Sequence, residues 1–201
     1  MPTYAEHNSD KSTDEEIILL YKNGQREAFK GLINRYTSPL YNFIARIADR
    51  NNASDIVQEI FIKVWKNINN FDSKKASFKT WIFTIARNTA TDFLRKKKIL
   101  SFSDIEKNSG KDENAFNKSF SENIPDENLL PDEVLQKLED NELLNKTLKK
   151  LPPDYREVLI LHYQEEMTFS EIGKIINKNL NTVKSQHRRA ILELRKMLDS
   201  S

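Results

Sequence analysis

The chain has 201 residues and a formal net charge of +2, a length sufficient for one large domain or two small ones. It has no cysteine, which excludes disulfides and thiolate metal sites, and its 3 histidines are scattered along the sequence. Glycine and proline are scarce, at 4 and 6, and β-branched residues do not alternate with polar ones. These features predict an all-α protein without a bound metal or cofactor. The N-terminus lacks an apolar signal region and no apolar run is long enough to span a membrane, so we expect a cytoplasmic protein.

Charge is segregated along the chain although the net value is small. Residues 1–100 carry 17 Lys and Arg against 11 Asp and Glu, residues 101–142 carry 4 against 12, and residues 143–201 carry 11 against 7. Two basic blocks therefore flank an acidic one. This pattern suits two modules that contact a polyanion and are joined by a segment that does not. The alternative is an acidic segment that serves solubility alone.

Four helices are predicted in the first basic block. A capping box at Thr13–Glu16 starts the first helix, and the second runs from about residue 26 to residue 48, where Pro39 favours a bend. The third runs from about residue 54 to residue 68. The fourth begins near Phe78, after a loop rich in Asn, Asp and Ser, and ends in a basic run at 95–98.

Residues 101–131 are polar, acidic and aperiodic, which is typical of a flexible linker. Helical periodicity returns at residue 132, and Pro153 is suited to the first turn of a further helix. The sequence therefore predicts two small helical domains, at 1–100 and 132–201, joined by an acidic linker at 101–131.

The end of the chain predicts two helices joined by a tight turn, as in a helix-turn-helix. We expect Ser170 to cap the first of them, Asn177 to end it in the left-handed conformation, and Asn179 to cap the second. His187 lies on the apolar arc of the second helix, where packing is its expected role. The opposite face carries donors suited to phosphates and guanine edges, and a solvated basic surface is the alternative. Its polar residues include Asn181, Lys184, Ser185, Arg188 and Arg189.

The third predicted helix has an apolar arc and a charged arc. The apolar arc is expected to be core and comprises Ile56, Val57, Ile60, Phe61, Val64, Trp65 and Ile68. On the other side, Ile62 lies among Asp55, Gln58 and Glu59. A single surface isoleucine is common, but an apolar centre with a polar rim is also typical of a protein-binding patch.

The fourth predicted helix and the loop before it combine aromatic and basic residues. Such groups can hold bases out of a stack while lysines contact phosphates. Alternatively, the two phenylalanines anchor the loop and the tryptophan packs beneath it. The loop supplies Phe71, Lys74, Lys75, Phe78 and Lys79, and the helix presents Trp81, Arg87, Asn88, Asp92 and Arg95.

Three segments together resemble bacterial RNA polymerase sigma factors of the sigma-70 family, in the extracytoplasmic-function (ECF) class. DIVQEIFIKVW, at 55–65, is similar to the family's core-polymerase-binding helix. FDSKKASFKTWIFTIARNTATDFLRKK, from residue 71, resembles the segment of region 2 that melts and recognises the −10 element. The stretch from LPPDYREVL to ILELRK resembles region 4, which recognises the −35 element. Departures lie in the turn, where Asn177 and Lys178 stand in place of the usual glycine and apolar residue.

The resemblance implies a transcription initiation factor, not an enzyme, whose partners are the RNA polymerase core, promoter DNA and an anti-sigma factor. Region 2 would bind the clamp helices of the largest subunit through Asp55, Gln58, Glu59 and Ile62, and region 4 would bind the flap of the second-largest subunit. The loop from Phe71 to Lys79 would capture a flipped base. The remaining −10 contacts would be Trp81, Arg87, Asn88, Asp92 and Arg95, and the −35 contacts Asn181, Thr182, Lys184, Ser185, Arg188 and Arg189.

Three other functions are compatible with parts of the sequence. A helix-turn-helix regulator that acts without polymerase explains the C-terminal half but not the segment from Phe71 onward. An enzyme acting on nucleic acid would need metal ligands, and Asp55, Glu59 and Asp92 have no converging partner visible in the sequence. An adaptor that sequesters other regulators would bind core polymerase without supporting transcription.

Overall fold

The computed structural model describes residues 12–48, 50–103 and 147–199. Within these ranges the secondary structure is entirely helical, which confirms the all-α prediction. Residues 147–150 are also helical, and short 3₁₀ turns precede α2 and flank α3. The predicted linker lies outside the described residues apart from the last turn of α4, and the domain boundaries remain predictions. The helices are α1 (Asp14–Lys22), α2 (Phe29–Ile47), α3 (Ala53–Asn67), α4 (Phe78–Ser103), α5 (Pro153–Tyr163), α6 (Phe169–Ile176) and α7 (Leu180–Asp199).

Helix starts in the N-terminal half follow the local sequence signals. Thr13 Oγ1 accepts a hydrogen bond from the Glu16 backbone N–H at 3.2 Å, and Glu16 Oε2 accepts one from the Thr13 N–H at 2.8 Å. This reciprocal pair confirms the predicted capping box of α1. Pro39 lies inside α2, which continues through it as a single helix. Pro153 is the first residue of α5, as predicted.

The helix-turn-helix is present as α6 and α7, but α6 begins earlier than predicted. Its N-cap is Thr168 and not Ser170, because Thr168 forms a reciprocal capping box with Glu171 that satisfies two backbone N–H groups. Asn177 ends α6 with φ 54° and ψ 50°, which confirms the left-handed cap. Asn179 Oδ1 accepts a hydrogen bond from the Thr182 N–H at 2.8 Å, which confirms the predicted cap of α7.

The two halves of the chain share one apolar core. Helix α4 packs against α6, and α2 packs against α5. The shared cluster contains Phe43, Ile82 and Phe83 from the N-terminal half together with residues of the C-terminal half, and the closed arrangement therefore buries apolar surface from both. A smaller cluster lies inside the C-terminal half, around Leu159 and Leu194. The C-terminal residues of the shared cluster are Val158, Ile160, Leu161, Met167, Ile172, Ile175, Ile176 and Val183.

Candidate protein and nucleic-acid interfaces

The outer face of α3 is exposed, and it is more apolar than the sequence predicted. Asp55, Gln58, Glu59 and Ile62 all lie at the surface, and Ile62 is 51% exposed. Trp65 was expected in the core, but it is 55% exposed. Trp65 lies at the edge of the predicted apolar arc, about 100° from Val64 around the helix, and the neighbouring helices bury Val64 but not Trp65. Trp65 lies about two turns from Gln58 and on the same side of the helix, so it extends the patch.

A cavity of about 490 Å³ opens between the end of α3 and the start of α4. Two of the predicted −10 residues, Trp81 and Asn88, line it. Lys63 and Thr89 both line this cavity, and Lys63 Nζ donates a hydrogen bond to Thr89 Oγ1 at 3.0 Å. An indole ring, amide groups and an ammonium together offer stacking and hydrogen bonding to a heteroaromatic ring. The other lining residues, which the sequence did not single out, are Lys63, Asn67, Asn70, Ile85 and Thr89.

Phe71 and Phe78 do not line this cavity, and their burial favours the alternative interpretation, in which the two rings anchor the loop. Phe78 is fully buried and Phe71 is 8% exposed, so neither ring can stack on a base in this conformation. Their ring centroids are 5.5 Å apart with perpendicular planes, and both rings pack on Trp81, at 5.3 and 5.6 Å. They therefore anchor the loop, and Trp81 is partly buried over them while one part of it reaches the cavity.

The basic residues of the loop and of α4 fall into two groups. Lys74, Lys75 and Arg95 are exposed. Two other polar residues of α4 lie near Arg95: Asn88 is exposed, and Asp92 is partly exposed and forms an ion pair with Arg95 at 3.1 Å. Lys79 and Arg87, in contrast, contact the C-terminal half. Lys79 Nζ lies 3.6 Å from Glu165 Oε2, and Arg87 Nε donates a hydrogen bond to Glu157 Oε1 at 3.2 Å.

Both carboxyl groups that meet these cations are buried. Burial raises the pKa of Glu157, and the neighbouring Arg87 lowers it by a smaller amount. The pKa of Glu165 is likewise raised by burial and opposed by Lys79 and Arg46. In each pair the loss of hydration raises the pKa of the glutamate by more than the cations lower it. The charged form of the glutamate therefore depends on its cationic partner.

The outer face of the helix-turn-helix carries the predicted polar residues. Asn181, Lys184 and Ser185 are exposed, and Arg188 and Arg189 are partly buried. The Arg188 Nε atom is buried without a hydrogen-bond partner, so this donor is unsatisfied in the structure. Thr182 is partly committed to capping, because its hydroxyl donates to Asn179 Oδ1 at 3.0 Å.

His162 and His187 belong to a packed aromatic cluster. His187 is 8% exposed and lies 3.0 Å from the Tyr163 hydroxyl, within a cluster that includes His162 and Phe169. This confirms its predicted packing role. The described residues contain no group of three or more His, Asp or Glu side chains placed to hold a metal ion. No helix among them is both long and apolar enough to cross a bilayer.

Two helices joined by a tight turn, with a polar and basic outer face, are typical of helix-turn-helix DNA-binding proteins, and here they accompany a second helical unit. Residues 32–99 match the family profile Sigma-70 region 2, and residues 141–194 match the profile Sigma-70, region 4. The ECF RNA polymerase sigma factor SigW of Bacillus subtilis is 32% identical over 182 residues, covering 90% of this chain and 94% of that protein. The ECF RNA polymerase sigma-E factor of Escherichia coli K12 is 28% identical over 186 residues, covering 90% and 92%. The chain therefore belongs to the sigma-70 family of RNA polymerase sigma factors, in the ECF class.

Solved structures agree on the fold. The sigma factor RpoE of Bartonella quintana, in its complex with the anti-sigma factor NepR, matches 86% of this chain and 98% of its own with a TM-score of 0.63 at 23% identity. CnrH, in its complex with the cytosolic domain of CnrY, matches 94% and 99% with a TM-score of 0.65 at 20% identity.

Family membership settles the class of activity. The protein is a promoter-specific transcription initiation factor that acts with the RNA polymerase core on promoter DNA, and it is not an enzyme. A regulator that acts without polymerase does not account for the region 2 match across residues 32–99.

Proposed function

We propose that the two halves of this sigma factor divide promoter recognition between them. Region 2, at 1–100, binds core polymerase and opens and holds the −10 element, and region 4, at 132–201, binds the −35 element. The observation that carries the proposal is that the two faces of α3 have different side-chain chemistry. One face presents Ile62 and Trp65 beside carboxylates, and the other contributes Lys63 and Asn67 to the amide-lined cavity.

The outer face of α3 is suited to a protein partner. Two large exposed apolar side chains, Ile62 and Trp65, are rimmed by Asp55, Gln58 and Glu59, which is the arrangement of a small interface core with a polar rim. We assign this face to the clamp helices of the largest polymerase subunit. Region 4 binds the flap of the second-largest subunit, which spaces the two DNA-binding units on the enzyme.

The cavity beside α4 is suited to a base extruded from the −10 strand. Trp81 offers an aromatic surface, while Asn70 and Asn88 offer amide donors and acceptors to a base edge. Lys74 and Lys75 lie on the adjoining loop for phosphate contacts, and Phe71 and Phe78 hold the loop in place from below. Extruding a base costs a few kcal/mol, and these contacts offset part of that cost.

Region 4 contacts the −35 element through the first turns of α7. Asn181, Lys184 and Ser185 are exposed there, and the partly buried Arg188 follows one turn after Lys184. Asn179 and Thr182 fix the start of this helix through their capping bonds. We therefore expect the sequence specificity for the −35 element to depend on the side chains of α7 that these capping bonds hold in position.

We also propose a location and a regulator for the protein. The protein acts in the cytoplasm, where core polymerase is found, and an anti-sigma factor regulates it. Support for the second point comes from RpoE of Bartonella quintana, a protein of the same fold that was solved with the anti-sigma factor NepR.

Run-off transcription tests the proposal most directly. Purified protein and core polymerase are supplied with a pool of templates randomised upstream of a fixed reporter segment, and the transcribed templates are sequenced. Initiation from templates that share −10 and −35 motifs is expected. Binding to duplex DNA without added core would favour a plain helix-turn-helix regulator, and core binding without any transcript would favour an adaptor.

A further inference from the structure

We propose that helix α1 positions the loop from residue 71 to residue 79 by holding both of its ends, and that base selection in the −10 element depends on these contacts. Helix α1 (Asp14–Lys22) lies before the residues that match the Sigma-70 region 2 profile, which begin at residue 32. This inference rests on the proposed function, because it takes the loop and the adjoining cavity as the −10 contact surface. Asp14 and Lys22, at opposite ends of α1, are the positioning residues.

The last residue of α1 holds the beginning of the loop. Lys22 Nζ donates a hydrogen bond to the Phe71 backbone oxygen at 3.2 Å, across 49 positions of sequence. The Phe71 backbone N–H donates to the Ile68 backbone oxygen, also at 3.2 Å. A bond from an ammonium group is stronger than one between neutral groups. Both backbone polar groups of Phe71 are therefore bonded, and α1 provides the charged donor.

The first residue of α1 reaches the other end of the loop through α2. The Tyr36 hydroxyl donates a hydrogen bond to Asp14 Oδ2, and the Tyr36 ring packs on Phe78 with centroids 5.4 Å apart and planes at 71°. Tyr36 is 5% exposed, and burial together with the bond to Asp14 raises its pKa, so the hydroxyl stays protonated as a donor. Arg35 Nη1 donates to Asp14 Oδ1 at 2.5 Å, which keeps the carboxylate paired. Asp14 therefore fixes the ring that contacts Phe78.

The two ends of the loop determine where groups that line the base cavity lie. Asn70 lines the cavity and directly precedes Phe71 in the chain. Trp81 also lines it, and its ring packs on Phe71 and Phe78 at centroid distances of 5.3 and 5.6 Å. Hydrogen bonds weaken steeply as their angle departs from linearity. A small displacement of Phe71 would therefore change how the Asn70 amide meets a base edge.

Apolar packing attaches α1 to the fold independently of these polar contacts. Ile17 and Ile18 are each 3% exposed and belong to the larger buried cluster. Removal of the Lys22 ammonium group alone should therefore leave α1 in place while it releases the loop. A purely structural role of α1 predicts a different result, namely a loss of stability and of core binding with an unchanged base preference.

Run-off transcription with core polymerase, on templates randomised at the −10 element, tests the role of Lys22. Lys22→Met removes the donor and keeps a long aliphatic side chain. It should lower the ratio of favoured to disfavoured bases by about threefold or more, at the same −10 position that Asn70→Ala affects. Lys22→Arg keeps a charged donor and should restore the wild-type ratio. Lys30→Met makes the same charge change at an exposed lysine of α2 that pairs with Glu27, and it should leave the ratio unchanged.

Tyr36→Phe tests the other end of the loop. It keeps the ring that packs on Phe78 and removes only the hydroxyl that bonds to Asp14. The base ratio should fall at the same −10 position, because α1 no longer orients the ring. Thermal unfolding and titration of core polymerase accompany each variant. Core affinity should stay at the wild-type value, since neither Lys22 nor Tyr36 lies on the outer face of α3.

An unchanged base ratio in either Lys22→Met or Tyr36→Phe would overturn the proposal, because it requires both ends of the loop to be held. An equal fall in Lys30→Met would attribute the effect to net charge and would also contradict it. Wild-type protein that initiates without any −10 preference would count against the proposed function. A wild-type preference that both variants retain would count only against the role of α1, and the two failures are therefore distinguishable.

Discussion

Arg87 of α4 and Glu157 of α5 are 70 positions apart in the sequence, and the Nε atom of Arg87 donates a hydrogen bond to Glu157 Oε1 at 3.2 Å. Burial raises the pKa of Glu157 and Asp154 adds to the rise, while Arg87 and Lys178 oppose it. Burial is the largest influence, so the folded protein binds a proton at Glu157 more tightly than the unfolded chain does. The contribution of this group to stability is full below its ordinary pKa of 4.5 and is lost as the pH rises through the higher folded value.

Replacing this carboxyl group with an amide should therefore be tolerated. Glu157→Gln removes the charge whose hydration is lost, and it keeps an oxygen that accepts the bond from Arg87. We expect the variant to match or exceed the wild type in free energy of unfolding at pH 7.5, by about 0–1 kcal/mol. The difference should shrink as the pH falls toward 4.5, because the wild-type group then becomes protonated. Thermal unfolding at several pH values measures this, and a marked loss of stability in the variant at pH 7.5 would show that the attraction of Arg87 dominates.

Much of the fold was predictable because its signals are local. The capping box at Thr13, the left-handed Asn177 and the first-turn Pro153 each depend on a few neighbouring residues, and the structure confirms all three. Ser170 was predicted in place of Thr168, although Thr168 and Glu171 have the same capping-box spacing as Thr13 and Glu16. The reciprocal bonds between Thr168 and Glu171 show that this local signal determines the start of α6.

The interaction faces were predictable only in part, because they depend on how helices pack. The periodicity of the sequence predicts which face of α3 is exposed. It does not predict how wide the buried arc is, because the neighbouring helices set that width, and the exposure of Trp65 depends on it. The cavity joins Asn70 to Asn88 across two elements, which no spacing in the sequence indicates. The contact between Arg87 and Glu157 depends on the packing of two regions and has no local signal.

Truncation of Trp65 should weaken core binding without unfolding the protein. Its side chain is 55% exposed on the same face as Ile62, so Trp65→Ala removes little buried contact from the core. Exposed tryptophans at interfaces are frequent hot spots, worth about 2 kcal/mol or more, and we expect core affinity to fall by at least about tenfold. Leu19→Ala, at a 60% exposed leucine of α1, is the matched control. Titration of core polymerase measures both, and an equal effect of the two would remove α3 as the specific contact.

Adjacent asparagines at the end of α3 provide a matched test of the cavity. Asn70 lines it and Asn69 does not, although both are exposed residues of the same 3₁₀ turn. Asn70→Ala should relax the base preference within the −10 element by about 1–3 kcal/mol, since a hydrogen-bonding amide is lost from the site. Asn69→Ala should leave that preference unchanged. Run-off transcription from templates randomised at −10 compares them, and unchanged preference in both variants would exclude the cavity as the base site.

Lys184 should contribute a phosphate contact to −35 binding. It is exposed near the start of α7, whereas Lys196 lies near the other end of the same helix, beside Glu193. Lys184→Ala should reduce the slope of log affinity against log salt by about 1, because one fewer counterion is released. Lys196→Ala should leave the slope unchanged. The affinity of holoenzyme for a selected promoter, measured at several salt concentrations, gives both slopes. Equal slopes for Lys184→Ala and the wild type would exclude a phosphate contact by Lys184.

Gly173 leaves no room for a side chain where α6 meets the turn. A Cβ atom placed there would lie 2.7 Å from the backbone oxygen of Lys178 and 3.7 Å from Val183 Cγ2. In an unhindered helix interior Gly→Ala gains about 1 kcal/mol, but here backbone must move to admit the methyl group, and overpacking of this kind costs about 1–3 kcal/mol. Gly173→Ala should therefore lower stability and weaken −35 binding, because the displaced turn carries the cap of α7. Ser170→Ala, at an exposed position of the same helix outside the capping box, should change neither. Denaturant titration and promoter binding test the pair, and a gain of stability in Gly173→Ala would show that the turn can move away at little cost.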